Sequence, residues 1–183
     1  MLPGLRWVAR AGQTHGMEFV LIRHAIAVER SAQVQDAERP LSDRGVRRFT
    51  KAVRGLAHLG VHLDQVFHSP WLRAAQTAAL LDPITRGKRE ATDLLIDEPD
   101  DRLLALAAGF GDDARIGFVG HEPWMGELLS LCLTGVLSHA DNLPFKKGGV
   151  AWLGGDPRAG AMALTALFPP RFLRSMAEAR PSK

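Results

Sequence analysis

Val20-Leu21-Ile22-Arg23-His24-Ala25-Ile26 is the stretch from which the rest of the chain is best read. The aliphatic and β-branched residues before Arg23 suit a strand covered on both faces. The run then stops on two adjacent polar side chains. In open α/β sheets the carboxyl ends of such strands are where ligands bind, so Arg23 and His24 are the first candidate site residues.

Working outward, the same pattern recurs twice. Gln65-Val66-Phe67-His68-Ser69 reads as a short strand ended by Pro70. The alanine-rich segment Trp71 to Leu81, carrying Arg73, reads as the helix after it, with Pro70 suited to its first turn. Ile116-Gly117-Phe118-Val119-Gly120 reads as another buried strand, followed at once by His121-Glu122-Pro123 and a helix bearing Trp124, Leu128, Leu131 and Cys132. A strand running into a helix N-terminus points free N–H groups and the positive end of the helix dipole at one place, which favours anions.

Between these units, residues 27–41 are polar and unpatterned, and Ser42 is a good N-cap for a helix. In that helix Val46, Phe49, Val53 and Leu56 recur at helical spacing, and Gly60 ends the run. Arg44, Arg47, Arg48, Lys51 and Arg54 fall largely on the other side and read as its wet face. Residues 82–101, with two prolines, a glycine and many charges, read as a connecting segment, short for a substrate-capping subdomain, before a helix over about 100–108. Gly148 to Leu153 and Ala161 to Leu167, joined by Gly154-Gly155-Asp156-Pro157-Arg158, predict an antiparallel edge hairpin.

This alternation predicts an α/β fold, a three-layer sandwich whose mainly parallel central sheet is flanked by helices and closed by an antiparallel C-terminal edge hairpin. The expected organisation is a disordered N-terminal tail over 1–16, a single domain over 17–170, and a C-terminal tail over 171–183. With 183 residues, 46% hydrophobic and 23% charged, one domain with one sizeable core is the natural expectation.

A single cysteine, Cys132, rules out an intramolecular disulfide and suits a reducing, cytoplasmic setting. No apolar run approaches the roughly 20 residues of a bilayer span, so no membrane partner is expected. The net charge of +3 raises a nucleic-acid reading. However, the basic excess sits in the flanks, at Arg6, Arg10, Arg171, Arg174 and Arg180, and is thinly spread; solvated termini and no nucleic-acid partner are expected. Lys146-Lys147 reads as a solvated pair, with an acidic protein partner as its functional alternative.

If the three strand ends converge, they bring together two histidines and two arginines. Arginine offers planar, permanently charged donors matched to phosphate oxygens. A neutral histidine can attack phosphorus. Phosphoryl transfer to His24, followed by attack of water on the phosphohistidine, is the chemistry these residue types suit.

Four stretches in order resemble the signature of the histidine phosphatase superfamily: Leu21-Ile22-Arg23-His24-Ala25, Arg39-Pro40-Leu41-Ser42-Asp43-Arg44-Gly45, Ser69-Pro70-Trp71-Leu72-Arg73-Ala74-Ala75-Gln76-Thr77-Ala78 and Val119-Gly120-His121-Glu122-Pro123. The likeness is greatest to its small SixA-type phosphohistidine phosphatase branch and spans about residues 17–168. It implies a phosphoglycerate-mutase-like fold and a metal-independent phosphatase without cofactor. His24 is then the phosphoryl acceptor, Arg23 and Arg73 are phosphate clamps, His121 is the second histidine, and Arg39 is a substrate contact. It further implies a phosphorylated protein or a small phosphorylated substrate as partner; a monomer is expected.

Two departures stand out. Glycine commonly follows the catalytic histidine in the superfamily, whereas Ala25 stands here and requires a negative φ or modest strain. No unique general acid emerges among Asp93, Asp97, Glu98, Asp100, Asp101 and Glu122. A phosphohistidine substrate relaxes that need, because imidazole leaves more readily than an alkoxide. The expected activity is therefore dephosphorylation of protein phosphohistidine, with hydrolysis of small phosphomonoesters, or a catalytically silent phosphate-binding module, as alternatives. Ser69 is expected to cap the following helix, and Trp71 and Trp124 either line the pocket mouth or serve as aromatic core.

Overall fold

A computed structural model describes residues 16–143 and 145–178. The expected N-terminal tail therefore lies, apart from Gly16, outside the described residues. Six strands form one sheet in the order β3-β2-β4-β1-β5-β6. They are β1 Met17–Arg23, β2 Gln65–His68, β3 Arg89–Ala91, β4 Arg115–Gly120, β5 Val150–Gly155 and β6 Met162–Phe168. The helices are α1 Asp43–His58, α2 Leu72–Ala79, α3 Asp101–Ala108, α4 Trp124–Thr134 and α5 Pro170–Met176. β1 to β4 run parallel, while β5 pairs antiparallel with β1 and carries the edge strand β6, as the hairpin signal predicts.

The period-2 alternation of β1 builds both cores. Phe19 and Leu21 face α3 and α4 with Phe67, Phe118, Leu103 and Met125, and Phe19 meets Phe118 edge-on at 5.0 Å. Val20 and Ile22 face the opposite layer with Val66, Phe49, Val53, Leu56 and Ala78. β1 and β4 are buried on both faces, which explains why they read as continuous apolar runs.

α1 starts where expected: Ser42 Oγ accepts from Gly45 N at 3.1 Å. Two glycines then let α1 dock closely. A Cβ on Gly45 would lie 2.0 Å from the Ile26 carbonyl oxygen, and one on Gly55 would lie 1.9 Å from that of Leu173. The second contact seats α5, whose Leu173 is fully buried. The packed unit thus runs on to Met176, and the tail expected over 171–183 begins later than its sequence suggested. Two prolines at the start of α5 and a single buried residue, Leu173, among its seven left no helical period to read.

Two further differences have local causes. The connecting segment contributes the short parallel edge strand β3, exposed at all three positions, so no apolar alternation announced it. α2 begins at Leu72 with Trp71 at its N-cap, which puts Pro70 outside the first turn.

Candidate functional site

Because β1, β2 and β4 are parallel neighbours, their carboxyl ends open on the same side of the sheet, and the register pairs Arg23 with Gly120 and His68 with Val119. The residue after each strand therefore falls at one place: His24 after β1, Ser69 after β2 and His121 after β4. Backbone bonds tie these turns together, His24 N donating to Gly120 O at 2.9 Å and Ser69 N to Val119 O at 3.0 Å. The imidazoles of His24 and His121 lie with centroids 5.1 Å apart. α2 delivers Arg73 to the same point, its Nε donating to His24 Nε2 at 3.2 Å.

The hydrogen bonds assign the tautomer of His24. Its Nδ1 lies 2.7 Å from the carbonyl oxygen of Ala25, a pure acceptor, so the proton sits on Nδ1 and the Nε2 lone pair faces Arg73. Burial, with the neighbouring His121 and arginine charges adding to it, lowers the His24 pKa to about 3, and the bond to Ala25 does not offset this. His24 is thus a neutral imidazole at neutral pH, its Nε2 lone pair unprotonated and oriented by the bond from Arg73.

His121 is held from the other side. Trp71 N donates to Ser69 Oγ at 3.3 Å, leaving the hydroxyl proton for His121 Nε2 at 2.9 Å. The His121 proton then belongs on Nδ1, which is buried without a partner among the described residues. Burial, reinforced first by Arg73, brings this histidine also to about 3. Ser69 is therefore not the cap of α2; it orients His121 and the turn at Trp71. Trp71 packs on His121 at 4.8 Å between centroids and carries the Arg73 guanidinium at 4.6 Å, whereas among the described residues no ring packing joins Trp124 to either histidine.

Sequence reasoning missed Asp36, the residue that holds the arginines. Its carboxylate accepts from Arg73 Nη2 at 3.0 Å, from Arg39 Nε at 2.7 Å and from Arg30 Nε at 3.0 Å, and its backbone oxygen accepts from Arg73 Nη1 at 2.5 Å. Burial opposes its ionisation, but Arg73 and Arg39 outweigh burial and keep the carboxyl below the usual range. Arg39, only 8% exposed, also donates Nη1 to Val28 O at 2.8 Å, so it secures the 28–39 loop beside the pocket. Asp36 lies in the unpatterned loop, where a lone aspartate carries no sequence signal of its own.

Thr77 fastens α2 to the turn after β1: its hydroxyl accepts from Ala25 N at 3.0 Å and donates to Arg73 O at 2.6 Å. Ala25 needs no left-handed backbone, since among the described residues every positive φ belongs to glycine. The alanine in place of glycine therefore introduces no strain.

Arg23 adjoins the pocket, donates Nη1 to the carbonyl oxygen of Phe145, and keeps its Nε buried without a partner among the described residues. Among the acid candidates, Asp100 caps α3 and pairs with Arg102, whereas Glu122 follows His121 directly and is half-buried within the electrostatic reach of Arg23. Burial raises the Glu122 carboxyl while Arg23 opposes that rise. No group of three or more His, Cys, Asp or Glu side chains forms a metal cluster among the described residues. Among them, too, no helix is long and apolar enough to cross a membrane.

Comparison with known proteins fits this arrangement. The family model of the histidine phosphatase superfamily (branch 1) matches residues 19–97, a span holding Arg23, His24, Arg39 and Arg73 but ending before His121. An uncharacterised protein of Picosynechococcus sp. is 33% identical over 155 residues, covering 82% of this chain and 90% of that one. The protein histidine phosphatase SixA complexed with tungstate superposes with a TM-score of 0.69 at 24% identity, over 86% of this chain and 99% of that chain. A phosphoserine phosphatase from Entamoeba histolytica, in complex with 3-phosphoglyceric acid, superposes at 0.65 with 13% identity, over 86% and 99%. The six-stranded sheet with its parallel centre and antiparallel edge is the phosphoglycerate-mutase-like fold, and the chain belongs to the histidine phosphatase superfamily.

Proposed function

We propose that this protein removes a phosphoryl group from phosphohistidine in a protein, by way of a covalent phosphohistidine at His24. The observation that carries the reading is the neutral His24 with its Nε2 lone pair held by Arg73, together with two buried donors without partners among the described residues, Arg23 Nε and His121 Nδ1. An unpartnered buried polar group costs about 1–3 kcal/mol, and a phosphoryl group bound here would satisfy both.

In the first step His24 Nε2 bonds to phosphorus as the bond from phosphorus to the substrate nitrogen breaks, and the departing imidazole takes up a proton. Arg23, Arg73 and the Nδ1–H of His121 share the charge on the three equatorial oxygens, which is where most of the catalytic gain in phosphoryl transfer arises. In the second, water attacks phosphorus, the bond from His24 to phosphorus breaks, and inorganic phosphate leaves with His24 neutral again. Glu122 is the best placed of the acidic candidates to manage the proton, and arginines and helix N-termini supply the positive charge without recourse to a metal or cofactor.

The SixA-type motif order and the good leaving group favour a phosphohistidine substrate. The fold shared with a phosphoserine phosphatase keeps small phosphomonoesters as a second reading. Acid-labile labelled phosphate should be trapped on the wild type and not on His24→Ala, with turnover falling about 10⁴-fold. Trapping on both proteins would sink the covalent mechanism, and turnover confined to sugar or serine phosphates would move the substrate class to the second reading.

A further inference from the structure

Cations from three separate parts of the chain meet beside the pocket. Arg48 of α1, Lys146 and Lys147 of the turn before β5, and Arg171 and Arg174 of α5 line a groove of about 500 Å³ whose lining also includes Arg23. The groove therefore reaches Arg23, at the edge of the proposed phosphoryl site. No aspartate or glutamate belongs to its lining, and among the described residues none of these five side chains enters an ion pair.

Such an arrangement has a cost. Like charges gathered together repel and oppose the compact state. Burial and then the neighbouring Arg48, Arg171 and Arg44 depress the basicity of Arg174, and burial followed by Arg23 does the same for Lys147. The fold nonetheless enforces the gathering, because the close approach of Gly55 to Leu173 fixes α5 against α1.

The form of the groove indicates its occupant. A single phosphate is best met by buried, anchored donors converging on one point, as at Arg73. Here Arg48, Lys146, Lys147 and Arg171 are exposed, on long stems, and distributed over three elements. That spacing suits several carboxylates displayed across a protein surface, a rim of charge that guides encounter and selects partners.

We propose that this groove docks an acidic face of the phosphorylated partner protein, its carboxylates against Arg48, Lys146, Lys147, Arg171 and Arg174, while its phosphohistidine enters at Arg23 and His24. The proposal rests on the phosphohistidine reading of the pocket, but its test does not need turnover. The variant is the triple substitution Arg48→Gln, Lys146→Gln, Arg171→Gln, which spares every pocket residue.

A fluorescent, unphosphorylated hexaglutamate peptide should bind the wild type in low salt. Its affinity should fall about tenfold in the triple variant and recover in Arg48→Lys, Lys146→Arg, Arg171→Lys, where the charges return. On an acidic phosphohistidine peptide, KM should rise about tenfold with kcat unchanged, while hydrolysis of free phosphoimidazole stays at the wild-type rate. Equal peptide binding by wild type and triple variant overturns the docking site. So does an affinity loss seen with inorganic diphosphate and not with the peptide, which would make the groove a small-anion site. Absence of any phosphoenzyme would overturn the catalytic reading alone and leave the binding result readable.

Discussion

The pocket and the groove are both lined by arginine, yet they hold it in opposite ways. Arg73 is 3% exposed, anchored on Asp36 and stacked on Trp71, whereas Arg48 and Arg171 are exposed beside other cations, with no carboxylate among the described residues to fix them. A charge meant to meet developing charge in a transition state must already be in place, because reorganisation at that moment raises the barrier. A charge meant to guide a large partner gains more from reach than from rigidity.

The comparison can be broken most sharply at Arg73. Replacing it with glutamine removes a permanent charge at the proposed nucleophile, His24, and kcat/KM should fall about 10²–10³-fold on every phosphorylated substrate, acidic or neutral. A loss confined to acidic substrates would mean that Arg73 acts as the groove residues do. Asp36→Asn leaves Arg73 in place but loosens it. A positioning role predicts a drop of about tenfold or more in kcat/KM, with the phosphoenzyme still formed and with partial recovery in Asp36→Glu. An unchanged rate would show that Trp71 stacking and burial orient Arg73 by themselves.

The last effect is one of pH, and it reports on the burial of the two pocket histidines. His24 and His121 have folded-state pKa values lowered to about 3 from the ordinary 6.5, so between those limits the unfolded chain binds more protons than the folded one. The stability linked to their neutral forms is complete above pH 6.5 and declines as pH falls from there toward 3, by at most about 1.4 kcal/mol per pH unit for each histidine. Imidazole proton resonances followed by NMR should show neither ring titrating between pH 5 and 8. A titration of either near 6.5 would show that burial does not control its charge.

Much of this was legible before any coordinates. The double-faced apolar runs of β1 and β4, the Ser42 cap, the edge hairpin and the histidines after the strands are local signals, and each depends on residues within a few positions of one another. Where the reading stopped, the determining contact was distant in sequence. Asp36 matters because Arg73 lies 37 residues away, Thr77 because the Ala25 amide lies 52 away, and α5 because Leu173 meets Gly55. β3 is stabilised by pairing with β2 rather than by its own Arg-Glu-Ala composition.

The arginines of the C-terminal segment and Lys146-Lys147, each unremarkable where it stands in the chain, become neighbours only when α5 closes on α1. The sequence by itself determined which groups follow the strands and so are the candidates for the chemistry, because strand periodicity and the residue that follows each strand are written in consecutive positions. The tertiary structure alone decided which of those groups are neutral, which are anchored and which charges face one another, because burial and Coulomb energy depend on distance in space and not on distance along the chain.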